Sequence, residues 1–234
     1  SSLSYNEASI IRLKMIQYPY AFHTIGSSMA VKASTYALSG GMNKRKAGED
    51  FYFLHKVFPQ GKTTEITDAC VYPSSRESDR VPFGTGRAIS KWMANEGKFD
   101  TYDLTSFIDL RSLFEKRLDL YQCTSTNKYE QLLKKLPLSV SSFLTHIEFE
   151  KIIFNLRKET SSISIFEKRF YHYWNGFAIL KFLHFTRDNH YPTIDLKKAC
   201  DDLLLSIGKE TKKNKSYYEL LDEFKEMDKQ LDKT

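Results

Sequence analysis

From Leu104 onward the apolar residues recur at steps of three and four: Leu104, Phe107, Ile108, Leu110, Leu113, Phe114, Leu118 and Tyr121. That spacing gathers them on one stripe of a 3.6-residue helix, and nothing else in the chain restricts its fold as strongly. The same period returns over Tyr129 to Leu136, Val140 to Arg157, Ile163 to Arg187, Leu196 to Ile207 and Tyr217 to Leu231. Interruptions fall at Pro137, at TSS (160–162), at DNHYP (188–192) and at GKETKKNKS (208–216). Residues 101–234 therefore read as an all-helical domain without an internal repeat. Its aromatic positions, Phe170, Tyr171, Tyr173 and Trp174 among them, follow the helical period, which assigns them to a packed interior rather than to a platform for stacked bases.

Residues 1–100 differ in character. Seven of the ten glycines lie before residue 90, and the apolar runs there are short, as in a loop-rich α/β region. SSMAVKA (27–33) reads as a buried strand feeding a helical turn over 34–39. EDFYFLHKVF (49–58) reads as a helix stopped by Pro59 and Gly61, and the β-branched KTTEITDACVYP (62–73) as a strand or hairpin. The fold class expected is α+β, mainly α, in two parts that meet near residue 100.

Hydrophobic residues make up 41% of the 234, enough to build a core at this length. A net charge of +6 favours an anionic partner: a nucleotide phosphate, a nucleic acid or an anionic membrane face. The three cysteines (Cys70, Cys123 and Cys200) are far apart and the six histidines form no HExxH, so neither a disulfide framework nor a structural metal is expected. SSLSYNEASIIRLK lacks the apolar core of a signal peptide. The longest apolar run, FAILKFLHF, falls short of the ~20 residues that span a bilayer. A soluble, cytoplasmic chain is expected, with peripheral contact at the inner membrane face left open.

One short stretch bears on chemistry. In GGMNKRKAGEDFYFLHK (40–56) two adjacent carboxylates, Glu49 and Asp50, follow a glycine and open a helix. The plain reading is electrostatic: acids in a first turn complement the positive end of the helix dipole, and Gly48 lets the chain turn in. The chemical reading is a general base held rigidly at a cleft rim and kept ionised by the dipole and by Lys44, Arg45 and Lys46. Both predict the same helix. Further on, SSRESDRVPFGTGRA (74–88) offers guanidinium groups that match phosphate oxygens, with Gly84 and Gly86 allowing backbone N–H groups to approach an anion. The same loop also reads as a solvated turn whose arginines pair with Glu77 and Asp79.

Taken in order, GSSMAVKAS, the Gly40-Gly41 turn, GED (48–50), VYPSSR (71–76) and RVPFGTG (80–86) resemble the second half of the catalytic domain of family 2 glycosyltransferases, which have the GT-A fold. The resemblance covers roughly residues 22–92. It implies that residues 1–100 are a partial GT-A-like region in an inverting glycosyltransferase of the bacterial polysaccharide kind. Asp50 would be the base that deprotonates the acceptor hydroxyl, with Glu49 its neighbour. Arg76, Arg80 and Arg87 would lie near the nucleotide diphosphate or the acceptor. The partners implied are a nucleotide-sugar donor and a glycan or lipid-linked acceptor.

The family's first half carries the nucleotide-binding strands and a DxD motif for a divalent metal. Residues 1–48 contain no aspartate, and FDTYDL (99–104) comes too late in the order to serve. The chain is thus expected to be the C-terminal portion, inactive alone. A divalent ion (Mg or Mn) is expected in the intact enzyme and none on this chain, and self-association is left open. The alternative is a non-enzymatic helical binding module for nucleic acid or a protein partner. Lys209, Lys212, Lys213 and Lys215 sit in one loop without interleaved aromatics, and no RNP, KH or zinc-finger pattern occurs, so nucleic acid is not the expected partner.

Overall fold

The computed structural model of the chain describes residues 2–23, 28–44, 48–61, 63–66, 99–209 and 215–231. Among these the protein is mainly helical, with one two-stranded sheet. The helices are α1 (Ser2–Met15), α2 (Ala33–Leu38), α3 (Glu49–Val57), α4 (Leu104–Glu115), α5 (Arg117–Gln122), α6 (Thr126–Leu133), α7 (Leu138–His146), α8 (Phe149–Lys158), α9 (Ile163–Tyr173), α10 (Gly176–Asn189), α11 (Leu196–Ser206) and α12 (Tyr217–Leu231). A 3₁₀ turn, Phe58–Gln60, extends α3, and β1 (Asp100–Thr101) pairs with β2 (Ile194–Asp195).

Packing divides the chain into two compact units. One takes Ser1–Ile11, Tyr20–Asp100 and Asp195–Thr234, and the other Arg12–Pro19 and Thr101–Ile194. In the first unit, α11 opens on Asp195, whose carboxylate accepts from the N–H groups of Lys197 (2.9 Å) and Lys198 (3.2 Å). Leu196, Ala199, Cys200, Leu203 and Leu204 then fall on one fully buried stripe. Helix α12 begins with a capping box: Ser216 N–H donates to Glu219 (2.7 Å) while Glu219 N–H donates to the Ser216 hydroxyl (3.3 Å). Leu220, Leu221, Phe224 and Met227 carry its buried face.

The second unit is a helical bundle. α4 packs on α7 and α10, while α9 packs on α5 and α8. Its centre is aromatic. Trp174 is fully buried, with the rings of Phe149, Phe114, Phe143 and Phe182 at centroid distances of 5.8, 6.0, 6.1 and 6.5 Å. Phe170 is equally buried, as the helical period requires, whereas Tyr171 and Tyr173 are half-buried.

Three of the helical patterns are divided in the structure, each for a local reason. The run from Leu104 to Tyr121 breaks at Lys116 (φ −87°, ψ 8°), and Arg117 then takes the Phe114 carbonyl (3.0 Å) and the Glu167 carboxylate (2.7 Å). The run from Val140 to Arg157 breaks at Glu148, which sits in the left-handed region (φ 50°). The run from Ile163 to Arg187 breaks where Asn175 caps α10, accepting from the N–H groups of Phe177 (2.9 Å) and Ala178 (3.2 Å). Of the strand expected over 27–33, residues 29–32 are irregular and Ala33 already opens α2, while residue 27 lies outside the described residues. Residues 28, 30 and 32 are exposed and residues 29 and 31 half-buried, which is little burial to stabilise a strand. Residues 63–66 of the second expected strand are irregular as well, and 67–73 lie outside the described residues.

Candidate functional site

Helix α3 is fixed from both sides by its surroundings in the first unit. Phe53 and Leu54 bury its inner face, with Phe53 5.2 Å from the ring of Tyr36 and Phe58, just beyond the helix, 5.1 Å from Phe22. Its C-terminal end is tied to α2. Gln60 donates to the Ser39 hydroxyl (2.7 Å), and Lys56 to the Ser39 carbonyl (3.4 Å). The chain leaves α2 through Gly40 (φ 70°) and Gly41 (φ 68°). Gly41 N–H donates to the Tyr36 carbonyl (2.9 Å) and Gly40 N–H to that of Ala37 (3.0 Å), the two bonds of a Schellman motif.

The carboxylate pair stands at the opposite, N-terminal end. Gly48 precedes it with φ 73° and ψ 16°, a left-handed conformation that glycine adopts without a Cβ penalty. Glu49 and Asp50 fill the first turn, both half-buried, and Asp50 Oδ1 accepts from the Phe51 N–H at 2.7 Å. That bond satisfies one of the backbone N–H groups that the first turn leaves without an intrahelical partner. One turn inside, His55 lies edge-on to Phe51 (4.2 Å), and burial lowers its pKa to about 4, so it is a neutral imidazole at physiological pH.

Glu49 and Asp50 are thus brought together at the head of α3. Arg76, Arg80, Gly84, Gly86 and Arg87 lie outside the described residues. Among the described residues no group of three His, Cys, Asp or Glu side chains is arranged to hold a metal ion.

A second polar centre, which the sequence reading missed, lies inside the second unit. Asp109 on α4 is buried, and its Oδ2 accepts from the hydroxyls of Ser139 on α7 and Tyr191 beyond α10, the latter at 2.8 Å. Ser106, one turn earlier, shares a hydrogen bond with Thr186 of α10 (2.9 Å). The signal was present as two polar residues, Ser106 and Asp109, on the buried stripe of an otherwise apolar helix. Burial first, and then the bond to Asp109, push the Tyr191 phenol above its ordinary pKa, so it remains a donor. Ser142 and His190 Nε2 are 3.0 Å apart, a spacing that suits a nucleophile and its base. The Ser142 proton, however, goes to the Leu138 carbonyl at 2.6 Å, which leaves the hydroxyl as acceptor for the imidazole N–H. The arrangement fastens three chain segments together. No family model, curated protein or solved structure matches the chain.

Proposed function

We propose that this chain carries the acceptor-activating part of an inverting glycosyltransferase, with Asp50 as general base. The observation that carries this reading is the head of α3, where a left-handed Gly48 delivers Asp50 into the first helical turn with its carboxylate held by a backbone N–H. In the reaction, the acceptor hydroxyl attacks the anomeric carbon of a nucleotide-activated sugar. A carbon–oxygen bond forms there as the bond to the diphosphate oxygen breaks, and the hydroxyl proton passes to the Asp50 carboxylate. The diphosphate leaves with the bonding pair, and Arg80 and Arg76 are the cations proposed to meet its charge. Glu49 keeps the rim acidic and positions the acceptor.

Transfer of labelled sugar from nucleotide-sugar donors to glycan and lipid-linked acceptors, assayed with the protein made from its complete reading frame, tests the reading. Asp50→Asn is expected to lower kcat by at least ~10³-fold, within the range reached by loss of a general base together with its charge, with donor affinity nearly unchanged. Unaltered turnover removes Asp50 from the mechanism.

A second reading rests on charge. The second unit holds 15 Lys and Arg against 10 Asp and Glu, a net +5, while the first holds 20 against 19, a net +1. Concentration of the basic excess in the helical bundle supports a binding module for an anionic macromolecule. Steeply salt-dependent binding to nucleic acid, in a chain with no sugar-transfer activity, favours this alternative.

A further inference from the structure

We propose that Tyr129 and Glu150 enclose a binding site for a single internal water molecule, which accepts the Tyr129 phenolic proton and donates to the Glu150 carboxylate. Tyr129 lies on α6 and is buried. Its ring packs at 6.4 Å against Phe154 of α8. Glu150 is four residues before Phe154, on the same face of α8, so its side chain lies along the stripe that meets Tyr129. Tyr129 Oη and Glu150 Oε1 are both shut off from solvent, and neither has a hydrogen-bond partner in the protein.

A donor atom and an acceptor atom on facing stripes, each shut off from solvent and without a partner in the protein, are left with an uncompensated loss of hydration. Native proteins resolve such pairs with a partner or an ordered water, and an internal water needs two to four polar neighbours. Tyr129 and Glu150 supply two of opposite kind. Cys123 and Tyr173 lie near enough to act electrostatically on the Tyr129 phenol and are the candidates for a third. The chemistry favours water over a larger or charged guest. Water alone is both acceptor and donor at this size, whereas an ammonium group leaves the phenolic proton unmatched. Burial, followed by the Glu150 carboxylate, pushes the Tyr129 pKa up, which keeps the phenol a donor across the physiological range.

Oxygen-17 relaxation dispersion on the full chain counts long-lived internal waters. Tyr129→Phe and Glu150→Met are each expected to lower that count by one relative to the parent, and a high-resolution density map of the parent is expected to show a water bonded to both oxygens. Should Glu150→Met fail to fold, Tyr129→Phe and the map carry the test. An unchanged count in Tyr129→Phe overturns the proposal. So does a map in which Tyr129 bonds Glu150 directly, the space is empty, or a larger guest fills it.

Discussion

Asp109→Ala is the most informative perturbation of the bundle. The carboxylate is 8% exposed, and one of its oxygens receives the hydroxyls of Ser139 and Tyr191. Hydrogen bonds to a charged group contribute about 1.5–3 kcal/mol each, so loss of both amounts to roughly 3–6 kcal/mol. Part of that is offset because burying the carboxylate itself carries a desolvation cost of several kcal/mol before relaxation. Ser139 is 1% exposed and is left without its acceptor, whereas half-buried Tyr191 can turn to water. The net loss expected is about 2–3 kcal/mol. With a urea slope of ~1–1.5 kcal/mol/M for a unit of this size, the midpoint falls by roughly 2 M. Trp174, fully buried in this unit, reports its unfolding by fluorescence once Trp92 is replaced by Phe. Tyr191→Phe alone is expected to cost ~1 kcal/mol, and the double variant Asp109→Ala/Tyr191→Phe less than the sum, because both remove the same bond. A loss under ~0.5 kcal/mol for Asp109→Ala, or strict additivity with Tyr191→Phe, refutes the view that this carboxylate fastens α4 to its neighbours.

Two further outcomes concern the first unit. His55 has its pKa lowered from 6.5 to about 4 by burial, so between those values the unfolded chain binds a proton that the folded chain does not. Stability therefore rises with pH across that window and is lost on acidification through it. Urea midpoints followed by circular dichroism at pH 7 and pH 4.5 should differ in the parent, and His55→Gln should narrow the difference; an equal pH dependence in both speaks against a neutral buried imidazole. Gly40 and Gly41 have nearly the same positive φ, but a Cβ at Gly41 meets the Tyr36 ring at 3.1 Å while one at Gly40 meets nothing within 4 Å. Gly40→Ala should cost about 1 kcal/mol from backbone conformation alone and Gly41→Ala more, read as thermal midpoints; equal losses would show that the ring yields freely.

What was legible in the sequence is what depends on neighbours three and four residues away. The stripe from Leu104 to Phe114, the stop at Pro59 and Gly61, and the limits of α12 all rest on local spacing, and the structure has them at or close to the expected residues. The breaks at Lys116 and Glu148 were not legible. The first is stabilised by Arg117 reaching Glu167, fifty residues away, and the second places a left-handed backbone at a residue with no preference for it. The strand expected over 27–33 is irregular at residues 29–32 for the complementary reason. Its composition suits a strand, but a ladder is a property of two segments, and composition names only one. The polar centre around Asp109 joins residues 30 and 82 positions apart, a relation that helical periodicity does not contain.

The candidate site poses a different problem, because its two readings agree about local structure. As a helix-capping acid, Asp50 contributes ~0.3–1 kcal/mol through the dipole; as a base it stands in the same turn with the same N–H contact. Stability data cannot separate them. Asn at position 50 keeps an oxygen for the Phe51 N–H while it gives up the charge, so its folding cost is expected to be small under either reading. What Asn cannot do is take a proton from a hydroxyl. Turnover and stability measured on the same variant therefore diverge sharply if Asp50 is the base, and change together only slightly if it is a cap. The comparison is informative because Gly48, not the aspartate, sets the entry of the backbone into α3.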